Sequence, residues 1–220
     1  MAEKIGHAPG ALAILQSFVN TLDIEQSAEE LADPAALQTW LDRNGLRGDA
    51  SDGRPATGAD LAVAIRLREA LRKVLRSHVR RAPADARQHQ PADAQRHRSA
   101  DPQPAETAEA AADLRELAVG LPTRLDVDDD GRIRPVPAGS GVEAALARIL
   151  LIAAEAATLG TWARLKICSA DDCQWAFYDR SPTRNGCWCS MQICGSRAKS
   201  RVYRSRVAAR AGQQRPTRCV

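Results

Sequence analysis

Cysteine is absent from the first 167 residues of the chain, and aromatic residues are scarce throughout, at 4%. The first absence excludes a disulfide-stapled scaffold for that stretch. The second means its core is built mainly from Leu, Ile, Val and Ala. Long apolar runs are missing too. The longest, Ala144 to Ala157, is broken by Arg148 and Glu155 and falls short of the roughly 18 uninterrupted apolar residues of a membrane span. The opening residues Met1-Ala2-Glu3-Lys4-Ile5-Gly6-His7 lack the basic-then-apolar order of an export signal, so a cytoplasmic location is expected. There is no Gly-rich phosphate loop and no Ser/His/Asp set, and neither His7 nor His78 stands in a catalytic pattern. Enzymatic activity is not expected.

What is present is ordinary in amount and uneven in placement. Hydrophobic residues make up 44% and charged residues 26% of 220 positions, which suits one medium globular domain plus a small module. The net charge of +4 conceals a split: residues 161–220 carry 12 Lys/Arg against 3 Asp/Glu, whereas residues 1–160 carry 19 against 24. The same last stretch holds six of the eight aromatics and all six cysteines. The shift places a domain boundary near residue 160 and turns the C-terminal part toward something anionic.

The first 160 residues read mostly as helix. Leu12, Leu15, Phe18, Val19 and Leu22 recur at helical spacing between Pro9 and Leu22. Asp33-Pro34 predicts a cap and first helical residue, with Leu37, Trp40 and Leu41 inward and Asn44-Gly45 as the stop. Thr57 to Val79 predicts a long helix with Leu61, Ile65, Leu71 and Leu75 buried. Its Arg66, Arg68, Arg72, Lys73 and Arg76, with Arg80 and Arg81 beyond, read as a solvated basic surface. Residues 82–106 lack any periodic apolar residue and read as a disordered, dispensable loop whose His89 and His97 are poor metal ligands. A helix is expected to resume at about Ala108 and to end by Pro122. Arg124 to Val136 reads as a β-hairpin about Asp130-Gly131. Asp126, Asp128, Asp130 and Gly131 also match the opening of a calcium loop, but its twelfth position is Pro137 where a Glu is required. A second long helix is expected from Gly141 to Leu165.

Cys168-x4-Cys173 and Cys189-x4-Cys194 form two matched pairs separated by fifteen residues. Two such pairs supply the four thiolates of a tetrahedral Zn2+ site, closed to water and therefore structural. A module of this size has too little core to hold itself together without such a brace. Two disulfides are the alternative, disfavoured in a reducing compartment, and an iron–sulfur cluster is a further one. Cys187 competes with Cys189, but only Cys189 preserves equal loops; Cys219 reads as a free thiol. Trp175, Phe177 and Tyr178 suggest a short strand. After Cys194-Gly195, Ser196 reads as the cap of a helix to about Ala211, with Ala198, Val202 and Ala209 inward. Arg197, Lys199, Arg201, Arg204 and Arg206 on that helix, with no acid among them, are the candidate nucleic-acid contacts.

Several of these stretches, Lys166-Ile167-Cys168, Phe177-Tyr178-Asp179-Arg180-Ser181, Trp188-Cys189-Ser190-Met191 and Cys194-Gly195-Ser196-Arg197-Ala198-Lys199, resemble the CGNR zinc finger. Phe18-Val19-Asn20-Thr21, Leu37-x2-Trp40-Leu41 and Leu67-Arg68-Glu69-Ala70-Leu71 are similar to the ABATE domain that usually precedes that finger. The resemblance implies a bacterial transcriptional regulator, in a family with members described as stress-induced. Ser196 stands where the family carries Asn, which leaves the fold intact but alters any base contact made from that position. Cys187 stands where the family tends to carry a polar or basic residue.

The expected fold class is therefore α+β. A mostly helical N-terminal domain with a small β-hairpin spans 1–160. A treble-clef-like zinc module ending in a basic helix spans 161–212, and 213–220 form a flexible tail. The expected function is binding of double-stranded DNA through the zinc-braced basic helix, with one Zn2+ per chain and an N-terminal domain that senses a small effector or forms a homodimer. The alternative is a zinc-stabilised protein–protein adaptor or a thiol redox switch using Cys187.

Overall fold

Side chains that satisfy exposed backbone N–H groups start two of the helices where the sequence places them. The computed structural model describes residues 6–47, 53–79 and 104–213. In it Asp33 accepts from the Ala36 N–H at 2.8 Å and opens α2 (Pro34–Arg43). Thr57 and Asp60 form a reciprocal capping box at the start of α3 (Gly58–Ser77), which satisfies two of the four orphan donors of a helix start. Before them come α1 (Leu12–Val19) and two short paired strands, β1 (Leu22–Asp23) and β2 (Ala28–Glu29). Helix α4 (Pro104–Val119) then leads to an antiparallel hairpin, β3 (Thr123–Val127) and β4 (Ile133–Pro137). The rest comprises α5 (Gly141–Thr158), a 3-10 turn (Trp162–Arg164), the antiparallel pair β5 (Leu165–Ile167) and β6 (Ala176–Tyr178), and α6 (Ser196–Gln213).

The α+β class holds, with mainly helical residues before the finger and a cysteine module after them. Several boundaries differ from the sequence reading. Helix α4 begins at Pro104, so the last residues of the expected loop are helical; the remainder of that loop, with Arg80, Arg81, His89 and His97, lies outside the described residues, as do Cys219 and the expected tail from residue 214. Helix α5 stops at Thr158 instead of running to Leu165, because Gly160 turns the chain at φ +69°, a conformation glycine adopts without the Cβ clash. The chain is then free to enter β5, a strand the periodicity did not reveal. None of the described helices is long and apolar enough to cross a membrane.

One core runs through α1, α2, α3 and α5. Leu15, Phe18, Leu37, Leu41, Leu67, Leu75 and Ile149 have no measurable exposure, and the Phe18 and Trp40 rings pack tilted with centroids 5.4 Å apart. The composition boundary near residue 160 does not interrupt this core. Strand side chains alternate between faces, so Leu165 and Ile167 of β5, with Ala176 and Tyr178 of β6, join the helical core. Phe177 on the opposite face packs with the cysteines. An edge of this small sheet is paired by the N-terminal segment, where Tyr178 donates its N–H to the Gly6 carbonyl at 2.9 Å. A Cβ at Gly6 would stand 2.1 Å from the Tyr178 carbonyl oxygen, so this approach requires glycine.

Helix α3 corrects the sequence reading most sharply. Its buried axis runs through Ala64, Leu67, Arg68, Leu71, Arg72 and Leu75, while Leu61 and Ile65 are half-buried. Arg68 and Arg72 are only 2% and 4% exposed, so they belong to the interior and not to a solvated surface. Arg68 grips Glu29 of β2 with two bonds of 2.7 and 2.8 Å and also reaches Thr21. Arg72 donates to the carbonyls of Val19 at 2.6 Å and Gln174 at 3.0 Å. Guanidinium groups tolerate such burial because their fixed fork of donors is matched by charged or carbonyl oxygens.

Candidate metal centre and basic helix

The β5–β6 turn presents the first two cysteines. Cys168 follows β5 and donates its backbone N–H to the Trp175 carbonyl at 2.9 Å, while the N–H groups of Cys173 and Gln174 both return to the Ala170 carbonyl at 3.0 Å. Gln174 takes a left-handed φ of +48°, which closes the knuckle and aims the Trp175 N–H at the Cys173 sulfur. The second pair sits where α6 begins. Ser190 caps a single π-helical turn, Met191–Gly195, that carries Cys194 and continues directly into α6. Ser196 is consequently not the cap. It is already helical, at φ −68° and ψ −40°, and its hydroxyl donates back to the Met191 carbonyl.

Cys168, Cys173, Cys189 and Cys194 converge, with all four sulfurs within 4.8 Å of one another and all four residues buried. Cys187 is half-buried and does not join them. The Cys173–Cys189 and Cys189–Cys194 sulfur separations are 3.7 and 3.6 Å. A tetrahedron with Zn–S bonds of about 2.3 Å has edges of about 3.8 Å, whereas a disulfide needs about 2.05 Å. The donor set therefore fits one tetrahedral zinc ion. Four crowded thiols resist ionising together without a cation. Hydrogen bonds to its three neighbours, and then burial, push the Cys168 thiol far above the usual thiol range. Bonds from Cys168 and Cys189 pull the Cys173 thiol well below the usual thiol range.

A buried ion pair supports the centre from below. Lys166, 1% exposed, reaches Asp179 at 2.7 Å and also donates to the carbonyls of Arg184 at 2.6 Å and Gly186 at 3.2 Å. Asp179 in turn accepts from the backbone N–H groups of Ser181 and Gly186. Burial alone would raise this carboxyl, but the bonds from Lys166 and Ser181 hold it below the usual carboxylate range. The pair thus fastens the loop that leads into Cys187-Trp188-Cys189. The signal in the sequence was a lysine between two apolar residues of a short strand, with an acid following Phe177-Tyr178.

The helical core holds the knuckle from the other side. Asn20 pairs with the backbone of Ala176 as a strand would, accepting from its N–H at 2.7 Å and donating to its carbonyl at 3.0 Å. Gln16 adds a bond to the same carbonyl at 3.0 Å, and Arg72 binds that of Gln174. These contacts span more than 100 residues of sequence, which is why local pattern reading missed them.

The candidate nucleic-acid residues divide into two sets. Arg197, Arg201 and Arg204 recur at helical spacing and line a shallow groove of about 500 Å³ together with Gln192, Ser196 and Ser200. Lys199 is exposed but lies outside that groove, and the side chain of Arg206 is outside the described ones. The expectation that no acid compensates this helix holds only within the helix. Arg197 pairs with Glu25 of the β1–β2 turn at 2.6 Å, and Arg201 lies 3.4 Å from Asp172 of the knuckle. Of the residues expected inward, Ala198 is buried, while the side chains of Val202 and Ala209 lie outside those described.

Residues 164–207 match the family model of the CGNR zinc finger. Residues 12–161, well over half of the chain, match the ABATE model, described as "Putative stress-induced transcription regulator". The chain belongs to the ABATE family. No curated protein matches it. The ABATE match spans Gln16, Asn20 and Arg72, which hold the knuckle, and the finger match spans all four clustered cysteines.

Proposed function

We propose that this ABATE chain is a bacterial, cytoplasmic transcription regulator without enzymatic activity that binds double-stranded DNA through α6. The observation that carries the reading is the row Arg197, Arg201 and Arg204 on one side of a helix that continues directly from the π turn carrying Cys194 of the four-cysteine cluster. Zinc supplies no reaction here; it fixes the start of α6 relative to the knuckle. Four thiolates around Zn2+ sum to −2, so residues 161–220 keep a charge of about +7, suited to a polyanion. An arginine row flanked by Ser196 and Ser200 offers donors for phosphate oxygens, and in this reading Arg197 at the helix start reads a guanine edge. Glu25 and Asp172 already pair with two of these arginines, so phosphate must compete with them. In this reading the helical domain senses a small effector or joins two copies.

The test is selection of bound duplexes from a random pool by the full-length, zinc-loaded protein. Enrichment of a defined sequence supports the reading, and absence of binding even at low salt overturns it. The second reading, a zinc-stabilised adaptor, is favoured by those same two ion pairs, since they show that the arginine row accepts carboxylates. It predicts capture of an acidic protein surface with no salt-dependent DNA binding.

A further inference from the structure

Helix α5 is apolar around most of its circumference, yet the described residues cover only one side. Val142, Ala145, Leu146 and Ile149 are buried in the core, whereas Leu151 and Ile152 remain half-exposed and Leu159 is 68% exposed. A helix apolar on all sides is ordinarily a buried one. Beside it, the β3–β4 hairpin leaves a second apolar surface open. Leu125, Val127 and Ile133 are 71%, 62% and 69% exposed. Cross-strand register pairs Val127 with Ile133 and Leu125 with Pro135, which puts all four on one face. Between hairpin and helix runs a groove of about 700 Å³ whose lining includes Ile133, Pro135, Leu151 and Ile152. Residues 82–103 contain no Leu, Ile, Val, Met or aromatic side chain, so their composition cannot supply the missing apolar cover.

The charges along α5 indicate the occupant. Arg148 and Glu155 are exposed, line this groove, and make no ion pair among the described residues. They stand seven residues apart, about two helical turns, with Leu151 and Ile152 midway between them. A two-fold axis passing beside Leu151 and Ile152 would set two α5 helices antiparallel. Arg148 of each copy would then face Glu155 of the other, and Leu151 of each would meet Ile152 of the other. Such self-complementarity is what an isologous interface requires.

We propose that α5 and the β3–β4 hairpin form the interface of a two-fold homodimer. The assignment deepens the DNA reading, because a dimer would carry two α6 helices related by a two-fold axis and suited to inverted half-sites. It stands independently of that reading, because its test contains no DNA.

The experiment is light scattering coupled to size exclusion on the full-length, zinc-loaded chain, over a concentration series and with a phosphine reductant present to exclude disulfide-linked pairs. The wild type is expected at twice 23.7 kDa. Leu151→Glu should run as a monomer. Arg148→Glu and Glu155→Arg should each weaken association about tenfold, as like charges replace two ion pairs. The combined Arg148→Glu/Glu155→Arg chain should regain the dimer, a rescue that neither a small-molecule groove nor a different protein partner would produce. A wild type that stays monomeric at every concentration, or a combined variant as weak as the single ones, overturns the proposal. If Leu151→Glu fails to fold, the three charge variants decide, since both charged positions are on the surface.

Discussion

Helices α3 and α6 are both rich in arginine, and from sequence they invite the same description. In the structure they do opposite things. Arg68 and Arg72 of α3 are buried, and among the described residues they bond to carbonyls, Thr21 and the carboxylates of Glu29 and Glu69. Arg197, Arg201 and Arg204 of α6 line an open groove, where Arg197 meets the half-buried Glu25 and Arg201 the exposed Asp172. The difference lies in what surrounds each helix. Helix α3 is packed by α1, α4 and β5, so a long cation on its inner stripe must find carbonyls and carboxylates in the interior. Among the described residues, α6 packs on the π turn of the cysteine module, and its Arg197, Arg201 and Arg204 face a groove open to an outside anion. Basic residues at helical spacing therefore do not identify a binding surface until the partners of the helix are known.

The largest effect should come from zinc. Chelation, or Cys194→Ser, removes a metal of the kind that supplies about 10–16 kcal/mol of apparent folding free energy in small finger peptides. Hydrogen exchange should then show residues 168–195 opening while α1, α2 and α3 remain protected. Uniform protection after chelation would mean that the module holds itself without metal.

Next come the arginines themselves. Arg72→Met strips donors from the buried Val19 and Gln174 carbonyls and should lower stability by about 3 kcal/mol. Arg204→Met should shift it by no more than about 0.5 kcal/mol. Equal losses in denaturant titrations would erase the distinction between the two helices.

A pH series sharpens the α3 side. Burial alone would raise the Glu29 carboxyl, but the Arg68 bonds bring it below the usual glutamate range. A carboxylate lowered in the folded state adds stability above its unfolded value of about 4.3 and loses it as pH falls through the folded value. Glu29→Gln should therefore be less stable than wild type at pH 7, with the gap closing toward pH 3. A gap independent of pH would assign the loss to packing and not to the ion pair. The smallest effect belongs to the α6 side. Glu25→Gln frees Arg197 from an exposed pair and should tighten DNA binding about two- to fivefold, read by fluorescence anisotropy at fixed salt.

Much of this fold was legible because its signals are local. Asp33-Pro34 and Thr57-x2-Asp60 start helices through bonds three residues long, and matched cysteine spacing follows from the reach of a short loop. The sulfur cluster was legible for the same reason, down to Cys189 over Cys187. What stayed hidden depends on distant chain. Arg68 meets Glu29 39 residues away, and Arg72 meets Gln174 102 residues away, so no periodicity could place them inside. Strand β5 is three residues long with a lysine at its centre. Only its pairing with β6, and the Asp179 carboxylate waiting for Lys166, make it a strand. The cap is Ser190 and not Ser196, because a π turn precedes the regular helix and no local pattern marks it.

The most direct test of the contrast between the two helices is the salt dependence of DNA affinity for Arg201→Ala/Arg204→Ala against wild type, at full length and with zinc content verified. If these arginines neutralise phosphates, the slope of log affinity against log salt should shrink by about two while the melting temperature stays put. An unchanged slope, with the double variant folded and zinc-loaded, would contradict the account.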